Sequence, residues 1–168
     1  MTTQQTVNPV HKQSHNELIL VVKRSTLFPH NNAWQGLQNV DYALYTQLIR
    51  THQEFHPRYI METDTTYKQI IPYLIFAHND QYFLMQRQAK ASETRLQNKF
   101  SLGIGGHINE IDITDGDIGS WARREFDEEV SYDGTYTIEP LGILNDDSNA
   151  VGQVHIGFVY ITKCKKRV

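Results

Sequence analysis

The feature that most constrains the fold is an acidic segment in the second half of the chain. Between Glu110 and Asp133 the sequence has nine acidic side chains and only two basic ones, Arg123 and Arg124. This segment has a net charge of −7 in a chain of 168 residues whose formal total is −3, so the remaining residues sum to +4. Carboxylates at this density must either face water or be neutralised by a bound partner.

The spacing of apolar residues predicts an amphipathic helix over residues 118–130, within this segment. At about 100° per residue, one arc of that helix holds five apolar side chains: Ile118, Trp121, Ala122, Phe126 and Val130. Glu125 and Glu129 fall inside the same arc, and Glu128 falls on its margin. Asp127 falls on the opposite side, toward solvent.

Carboxylates turned toward the body of a domain need a counter-charge, because burial otherwise favours protonation. The two arginines do not by themselves neutralise three glutamates with Asp127 nearby, and a divalent cation supplies the missing positive charge. Glu125, Glu128 and Glu129 stand at positions i, i+3 and i+4, so their oxygens converge on one side of the helix. All-oxygen ligation is typical of Mg²⁺ or Mn²⁺. The pattern therefore favours a metal-binding helix over the alternative, an ordinary solvated acidic face.

Standard calcium and nucleotide motifs do not fit the same residues. An EF-hand loop that starts at Asp112 or Asp115 lacks the required glycine and the final glutamate in register. The glycine run Gly103–Gly106 lacks the third glycine of a dinucleotide fingerprint, and no Gly-Lys-Ser/Thr follows it to make a P-loop.

The glycines and the acidic helix together resemble the signature of the Nudix hydrolase family. That signature runs glycine, five residues, glutamate, seven residues, then Arg-Glu-apolar-x-Glu-Glu-x-Gly-apolar. Residues 124–132 match its second half, with Ser131 in place of the glycine. Gly106 is followed after five residues by Asp112, an acid in place of the glutamate. The eleven residues between Asp112 and Arg124 are four more than the signature has.

The resemblance covers residues 67–162 and implies both a fold and an activity. The implied fold class is α/β (α+β), a Nudix-like α/β/α sandwich with a mixed β-sheet. The implied activity is hydrolysis of a pyrophosphate bond in a nucleoside diphosphate that is linked to another moiety, with Mg²⁺ or Mn²⁺ as cofactor. The expected partner is therefore a small-molecule nucleoside diphosphate derivative.

The resemblance also assigns roles by position. The implied metal ligands are Glu125, Glu128, Glu129 and the carbonyl of Gly106. Arg124 corresponds to the arginine that orients the acidic helix, and Asp112 is its expected partner in support of the loop. Glu128, Glu125 and Arg124 are the predicted catalytic residues.

The sequence leaves two candidates for the general base: Glu128 and an acid in the loop Asn145–Asn149. A loop rich in turn-forming residues is the plainer interpretation of Asp146 and Asp147. Four residues are weaker candidates for contact with substrate: His107, Arg87, Asp147 and His155.

Apolar periodicity and turn residues predict the other elements. The predicted strands are Leu18–Lys23, Phe100–Ile104, Tyr136–Leu144 and Val154–Thr162. A hairpin is predicted from Tyr67–Ala77 and Tyr82–Arg87 around an Asn-Asp turn, and Pro72 within it suggests an edge strand or a bulge. A second helix is predicted at Val40–Gln53. Strands interleaved with helices indicate a mixed sheet.

The predicted domain organisation is a flexible arm at residues 1–16 and a single Nudix-like domain at 17–168. Within that domain, residues 17–66 form an extension ahead of the Nudix core at 67–162. The sequence leaves open whether the extension adds to the sheet, covers the cleft or builds a homodimer contact.

Composition excludes several other classes. The longest apolar runs, Leu18–Val22 and Ile70–Ala77, are far shorter than the roughly 20 residues of a membrane span. The first 17 residues have no apolar signal core, so a cytoplasmic location is expected. Cys164 is the single cysteine and permits no internal disulfide. A chain of net charge −3 gives no nucleic-acid footprint.

Two other functions remain as alternatives. One is a non-catalytic Nudix-like module that senses a nucleotide, and the other is an acidic scaffold. The related diphosphate isomerases use a cysteine in the core, whereas Cys164 lies in the tail.

Overall fold

The computed structural model describes residues 17–86, 100–110, 118–130 and 132–165, and for Met85, Gln86 and Glu129 it describes the backbone only. The described strands are β1 (Leu18–Lys23), β2 (Gly36–Gln38), β3 (Glu54–Pro57), β4 (Tyr67–His78), β5 (Gln81–Tyr82), β6 (Met85–Gln86), β7 (Phe100–Ser101), β8 (Gly103–Gly105), β9 (Tyr136–Asn145) and β10 (His155–Cys164). The helices are α1 (Arg24–Leu27), α2 (Tyr42–His52), α3 (Arg58–Met61), α4 (Ile118–Glu129) and α5 (Ala150–Val154).

A mixed β-sheet organises these elements. Its strand order is β2-β9-β10-β4-β1-β3, and β5 and β8 also pair with β4. β10 and β4 run parallel, whereas the other strand pairs described are antiparallel. β6 and β7 form a separate two-stranded ladder. The mixed sheet with helices confirms the predicted fold class.

β4 is the central strand, which makes the edge position suggested by Pro72 wrong. Along one side β4 pairs with β10, and along the other it pairs first with β1 up to Gln69 and then with β8 from Tyr73 onward. Pro72 lies between these two partners, and its carbonyl faces β8. Since the N and C=O of a strand residue point the same way, the missing N–H of Pro72 falls where the partner changes.

The two faces of the sheet are covered unequally. Alternate residues of β4 (Ile70, Leu74 and Phe76) belong to the main apolar core, and Phe76 packs against Phe126 of α4 at 5.6 Å between ring centroids. α2 packs on the same face through Tyr42, whose ring meets Phe158 of β10. On the opposite face, the short helix α3 packs Met61 against Ile19 and Val21 of β1.

The N-terminal extension adds strands to this sheet, which is the first of the three roles that the sequence left open. β1 pairs with both β3 and β4, and β2 pairs with β9. The backbone N–H of Leu20 also donates to the carbonyl of Ile108 at 2.8 Å. β1 therefore holds the segment that follows the glycine run.

The long elements lie close to their predicted positions, and the predicted strand Phe100–Ile104 is divided into β7 and β8. Five short elements were not predicted: α1, β2, β3, α3 and α5. α2 begins two residues later than predicted and ends at His52. Val154 belongs to the short helix α5 rather than to β10. In place of the predicted hairpin strand Tyr82–Arg87 there are two short strands, β5, which pairs with β4, and β6, which pairs with β7. No helix of the described ranges is long and apolar enough to cross a membrane.

We expect Gly103→Ala to destabilise the protein by more than about 2 kcal/mol, because the added Cβ would lie 2.8 Å from the carbonyl carbon of Leu74 in the neighbouring strand. Urea denaturation measures the change. Gly157→Ala is the matched control, since its Cβ would meet Leu144 at 3.5 Å, an ordinary contact distance. Equal stability of the two variants would contradict the close approach of β8 to β4.

Candidate active site

The orientation of α4 agrees with the predicted helical phase. Trp121, Ala122 and Phe126 are buried in the core, and Asp127 is exposed. Glu125 is only 7% exposed, so it lies on the inward face as the phase predicts. An acidic side chain is rarely buried to this extent without a specific partner.

Gly106 is the residue against which the Glu125 carboxylate lies. A Cβ built on Gly106 would fall 2.5 Å from both Cδ and Oε1 of Glu125, well inside contact distance. Gly106 directly follows β8, whose position is fixed by pairing with β4. The site therefore needs glycine at position 106, because a side chain there would displace the carboxylate.

Arg124 links two carboxylates of the helix. Its guanidinium donates to Oε1 of Glu125 at 3.3 Å and to Oε1 of Glu128 at 3.4 Å. The Glu128 side chain is 56% exposed, whereas the Glu125 side chain is buried. One arginine thus orients a buried and an exposed carboxylate on the same edge of α4.

The donors at this edge fit a hard divalent cation. The structure brings together carboxylate oxygens and the Gly106 backbone, and oxygen-only ligands suit Mg²⁺ or Mn²⁺. Among the side chains that the structure describes, no group of three or more His, Cys, Asp or Glu residues is arranged to hold a metal ion. The Glu129 side chain, Asp112 and Ser131 lie outside the described residues, so their predicted roles stay predictions.

His107 and His155 lie together, on the other side of the glycine run from Glu125. Nε2 of His107 is 2.7 Å from Oε1 of Gln69 and 3.4 Å from Nε2 of His155. Nδ1 of His155 is 2.7 Å from the carbonyl oxygen of Val151, to which it donates. Burial holds the pKa of His107 well below 6.5, and the charges of Arg58 and His155 act in the same direction. His107 is therefore a neutral ring that anchors the backbone next to Gly106.

Asp147 belongs to an ionic cluster with Arg24 and Lys68. Its carboxylate accepts from Arg24 at 2.9 and 2.5 Å and from Nζ of Lys68 at 2.8 Å. Hydrogen bonds from Arg24 hold the pKa of Asp147 far below its usual value against the effect of burial, and Lys68 and Asn145 add to this. A carboxylate so strongly paired is a poor general base.

Lys68 is fully buried, and the sequence pattern did not identify the cluster that holds it. Its ammonium also donates to the carbonyl oxygens of Gly152 and His155, at 2.7 and 3.2 Å. Burial lowers the pKa of Lys68, and the Asp147 carboxylate acts against that shift. The signal that could have found it is a lysine inside an apolar strand, which requires a counter-ion. Arg87, the one basic residue among the predicted substrate contacts, lies outside the described residues.

Comparison with known proteins gives a relative and a structural neighbour, whereas no family model matches the chain. Protein YmaB of Bacillus subtilis (strain 168) is 35% identical over 163 residues, which cover 89% of this chain and 77% of YmaB. The crystal structure of Tm1382, described as a putative Nudix hydrolase, superposes with a TM-score of 0.74 at 29% sequence identity. That match covers 90% of this chain and 78% of Tm1382.

The chain belongs to the Nudix family. The similarity to Tm1382 extends over the extension as well as the predicted Nudix core, because it spans nine-tenths of the chain. Enzymes with the Nudix hydrolase fold hydrolyse pyrophosphate bonds and generally use divalent metals. The acidic helix α4 and the glycines that end β8 are the Nudix elements whose geometry the structure describes.

We expect Gly106→Ala to weaken Mn²⁺ binding at least about 10-fold, because the added methyl group occupies the position of the Glu125 carboxylate. Isothermal titration calorimetry with Mn²⁺ measures the affinity, and thermal denaturation confirms that the variant is folded. Gly157→Ala serves as the control for a glycine outside the site. Unchanged Mn²⁺ affinity in a folded Gly106→Ala protein would refute the role of this contact.

We expect Asp147→Asn to lower the free energy of unfolding by at least about 2 kcal/mol at neutral pH, because Lys68 stays buried without its counter-ion. The folded-state pKa of Asp147 is lower than that of the unfolded chain. The ionised Asp147 carboxylate therefore stabilises the folded state fully above about pH 4, and this stabilisation declines as the pH falls below that value. Urea denaturation from pH 7 to pH 3 measures both effects.

The comparison variant for this experiment is Glu139→Gln, which breaks the exposed ion pair with Lys163. It should change stability by less than about 0.5 kcal/mol at every pH. A difference between Asp147→Asn and wild type that grows as the pH falls would be incompatible with the ionic cluster.

Proposed function

We propose that this chain is a Mg²⁺- or Mn²⁺-dependent pyrophosphohydrolase whose substrate is a nucleoside diphosphate linked to another moiety. The observation that carries the proposal is the buried carboxylate of Glu125 against Gly106, on a chain of the Nudix family. A buried carboxylate beside a bare glycine backbone provides oxygen ligands of two kinds at one place. The proposed ligands are Glu125, Glu128, Glu129 and the Gly106 carbonyl.

The cation explains how so acidic a site accepts an anionic substrate. When bound, a divalent cation offsets the charge of the pyrophosphate oxygens and lowers the pKa of water. Arg124 holds Glu125 and Glu128 in place through its two hydrogen bonds, so the carboxylates are oriented before substrate arrives. Gly106 leaves open the space into which the Glu125 carboxylate projects.

Glu128 is the proposed general base. Of the two alternatives left by the sequence, the loop acids are already engaged: Asp147 pairs with Arg24 and Lys68, and Asp146 accepts hydrogen bonds from Gln35, Ser148 and Asn149. Glu128 is one helical turn from Arg124 and more than half exposed, so water reaches its carboxylate. The proton of an attacking water is therefore taken by Glu128 in this proposal.

We expect Glu128→Gln to lower the kcat for phosphate-bond hydrolysis at least about 100-fold, because the amide neither accepts the proton nor contributes a negative ligand. A panel of nucleoside diphosphate derivatives assayed with Mg²⁺ and with Mn²⁺ measures turnover and identifies the substrate. Asp127→Asn is the matched control, since Asp127 is on the same helix, faces solvent and accepts a long 3.3 Å hydrogen bond from Tyr136.

Two results would contradict this proposal, one in part and one as a whole. Turnover by Glu128→Gln at the wild-type rate would exclude Glu128 as general base and as an essential metal ligand. Tight binding of a panel member without turnover by the wild type would instead identify the chain as a nucleotide sensor.

A further inference from the structure

An apolar recess lies on the face of the sheet opposite α4. Its volume is about 360 Å³, within the range of roughly 300–1,000 Å³ that is usual for small-molecule sites. Six apolar side chains line this recess: Leu37, Ile75, Phe100, Leu102, Leu144 and Val159. Phe100 is 67% exposed and Leu102 51% exposed, although apolar side chains of this size usually pack against a partner.

Strand alternation fixes which face the recess occupies. Tyr73 and Ile75 of β4 line it, whereas their neighbours Leu74 and Phe76 belong to the core beneath α4. Successive strand residues point to opposite faces, so the recess and the acidic helix are on opposite sides of β4. The short helix α3 covers this face at its other end, near β1.

β8 connects the recess to the metal site without interposing a side chain. On the face of the recess, Cβ atoms at Gly103 and Gly105 would collide with β4, while the side chain of Ile104 is buried in the core on the other face. Gly106 follows immediately and touches the Glu125 carboxylate. Gly105, which pairs with the recess residue Tyr73, is thus adjacent in sequence to Gly106, which touches the carboxylate, so only bare backbone separates the recess from Glu125 at this point.

The polar groups of the recess are already bonded to each other. Tyr73 and Ser101 are the lining residues with side-chain hydroxyls, and their oxygens are 2.9 Å apart. The Ser101 hydroxyl also lies 2.6 Å from the carbonyl of Gly103, to which it donates. The described lining has no charged side chain. The recess therefore offers contact area and aromatic surface rather than a pattern of hydrogen bonds.

We propose that this recess binds the nucleobase of the substrate, with the diphosphate crossing β8 at Gly105 and Gly106 to reach the carboxylates of α4. The inference rests on the proposed function for the position of the diphosphate. An uncharged flat ring matches an apolar recess with the aromatic side chains Tyr73 and Phe100, and the adjoining acidic site takes the charged part through its cation. The side-chain hydroxyls of the described lining are bonded to each other, so they do not distinguish one base from another. Purine and pyrimidine nucleotides therefore both bind.

Equilibrium binding of AMP, UMP and ribose 5-phosphate in the presence of Mn²⁺ tests the recess directly. The wild type should bind AMP and UMP within about 10-fold of each other, and ribose 5-phosphate at least about 10-fold more weakly, because the last has no base to bury. Leu102→Ser should weaken AMP binding about 5- to 10-fold and leave ribose 5-phosphate unchanged. Leu44→Ser is the control, since Leu44 is 49% exposed on α2, away from the recess.

Leu37→Ser provides a second variant from a different strand and should also weaken AMP binding. AMP affinities equal to those of Leu44→Ser in both recess variants would overturn the proposal. So would a wild-type dimer that dissociates in both variants while AMP affinity stays unchanged, because the recess would then be an interface between two copies of the chain.

Different results would refute the proposed hydrolase activity and the proposed binding of the nucleobase in the recess. AMP binding that depends on Leu102, in a wild type that hydrolyses no panel member, would support the recess and refute the hydrolase. Turnover whose KM is the same in Leu102→Ser and Leu44→Ser would support the hydrolase and refute the recess.

Discussion

The contact between the Glu125 carboxylate and Gly106 is the constraint on which the candidate site depends. A buried carboxylate is costly unless charge or hydrogen bonds compensate it, and here it lies beside a residue that has no side chain. The absence of a side chain at Gly106 therefore leaves room for the Glu125 carboxylate at the end of β8. Arg124 and Glu128 take their positions from the same helix, so they are set by this one contact.

The surroundings of Gly106 come from distant parts of the sequence. β8 is aligned by β4, the segment after Gly106 is held by Leu20 of β1, and the next residue, His107, is anchored to Gln69. Gln69 in turn donates to the carbonyl of Met61 in α3. The N-terminal extension is thus part of the support of the site, because two of these contacts begin in residues 17–66.

Helical phase was sufficient to predict the buried position of Glu125, because α4 is long and its apolar spacing is regular. The central position of β4 was not predictable, since Pro72 usually marks an edge and only the exchange of β1 for β8 explains its presence. The cluster of Arg24, Lys68 and Asp147 was also missed. Its three charges lie far apart in sequence, so neither periodicity nor a motif relates them.

The recess could not be predicted from the sequence, because its lining residues come from separate segments. Its walls come from β2, β4, β7, β9 and β10 and from the bend at Leu102, and each contributes one or two ordinary apolar residues. Nothing in those short segments differs from a strand that packs in a core. The recess forms only when the folded sheet brings these segments together.

The parallel pairing of β4 with β10 has a consequence for biosynthesis. β4 leaves the ribosome long before β10, and in the interval one complete side of a long apolar strand has no backbone partner. Strand edges of this kind are templates for association between chains. The nascent chain therefore carries an unpaired apolar strand edge until β10 has emerged, and rapid translation of the residues between β4 and β10 would shorten that period of risk.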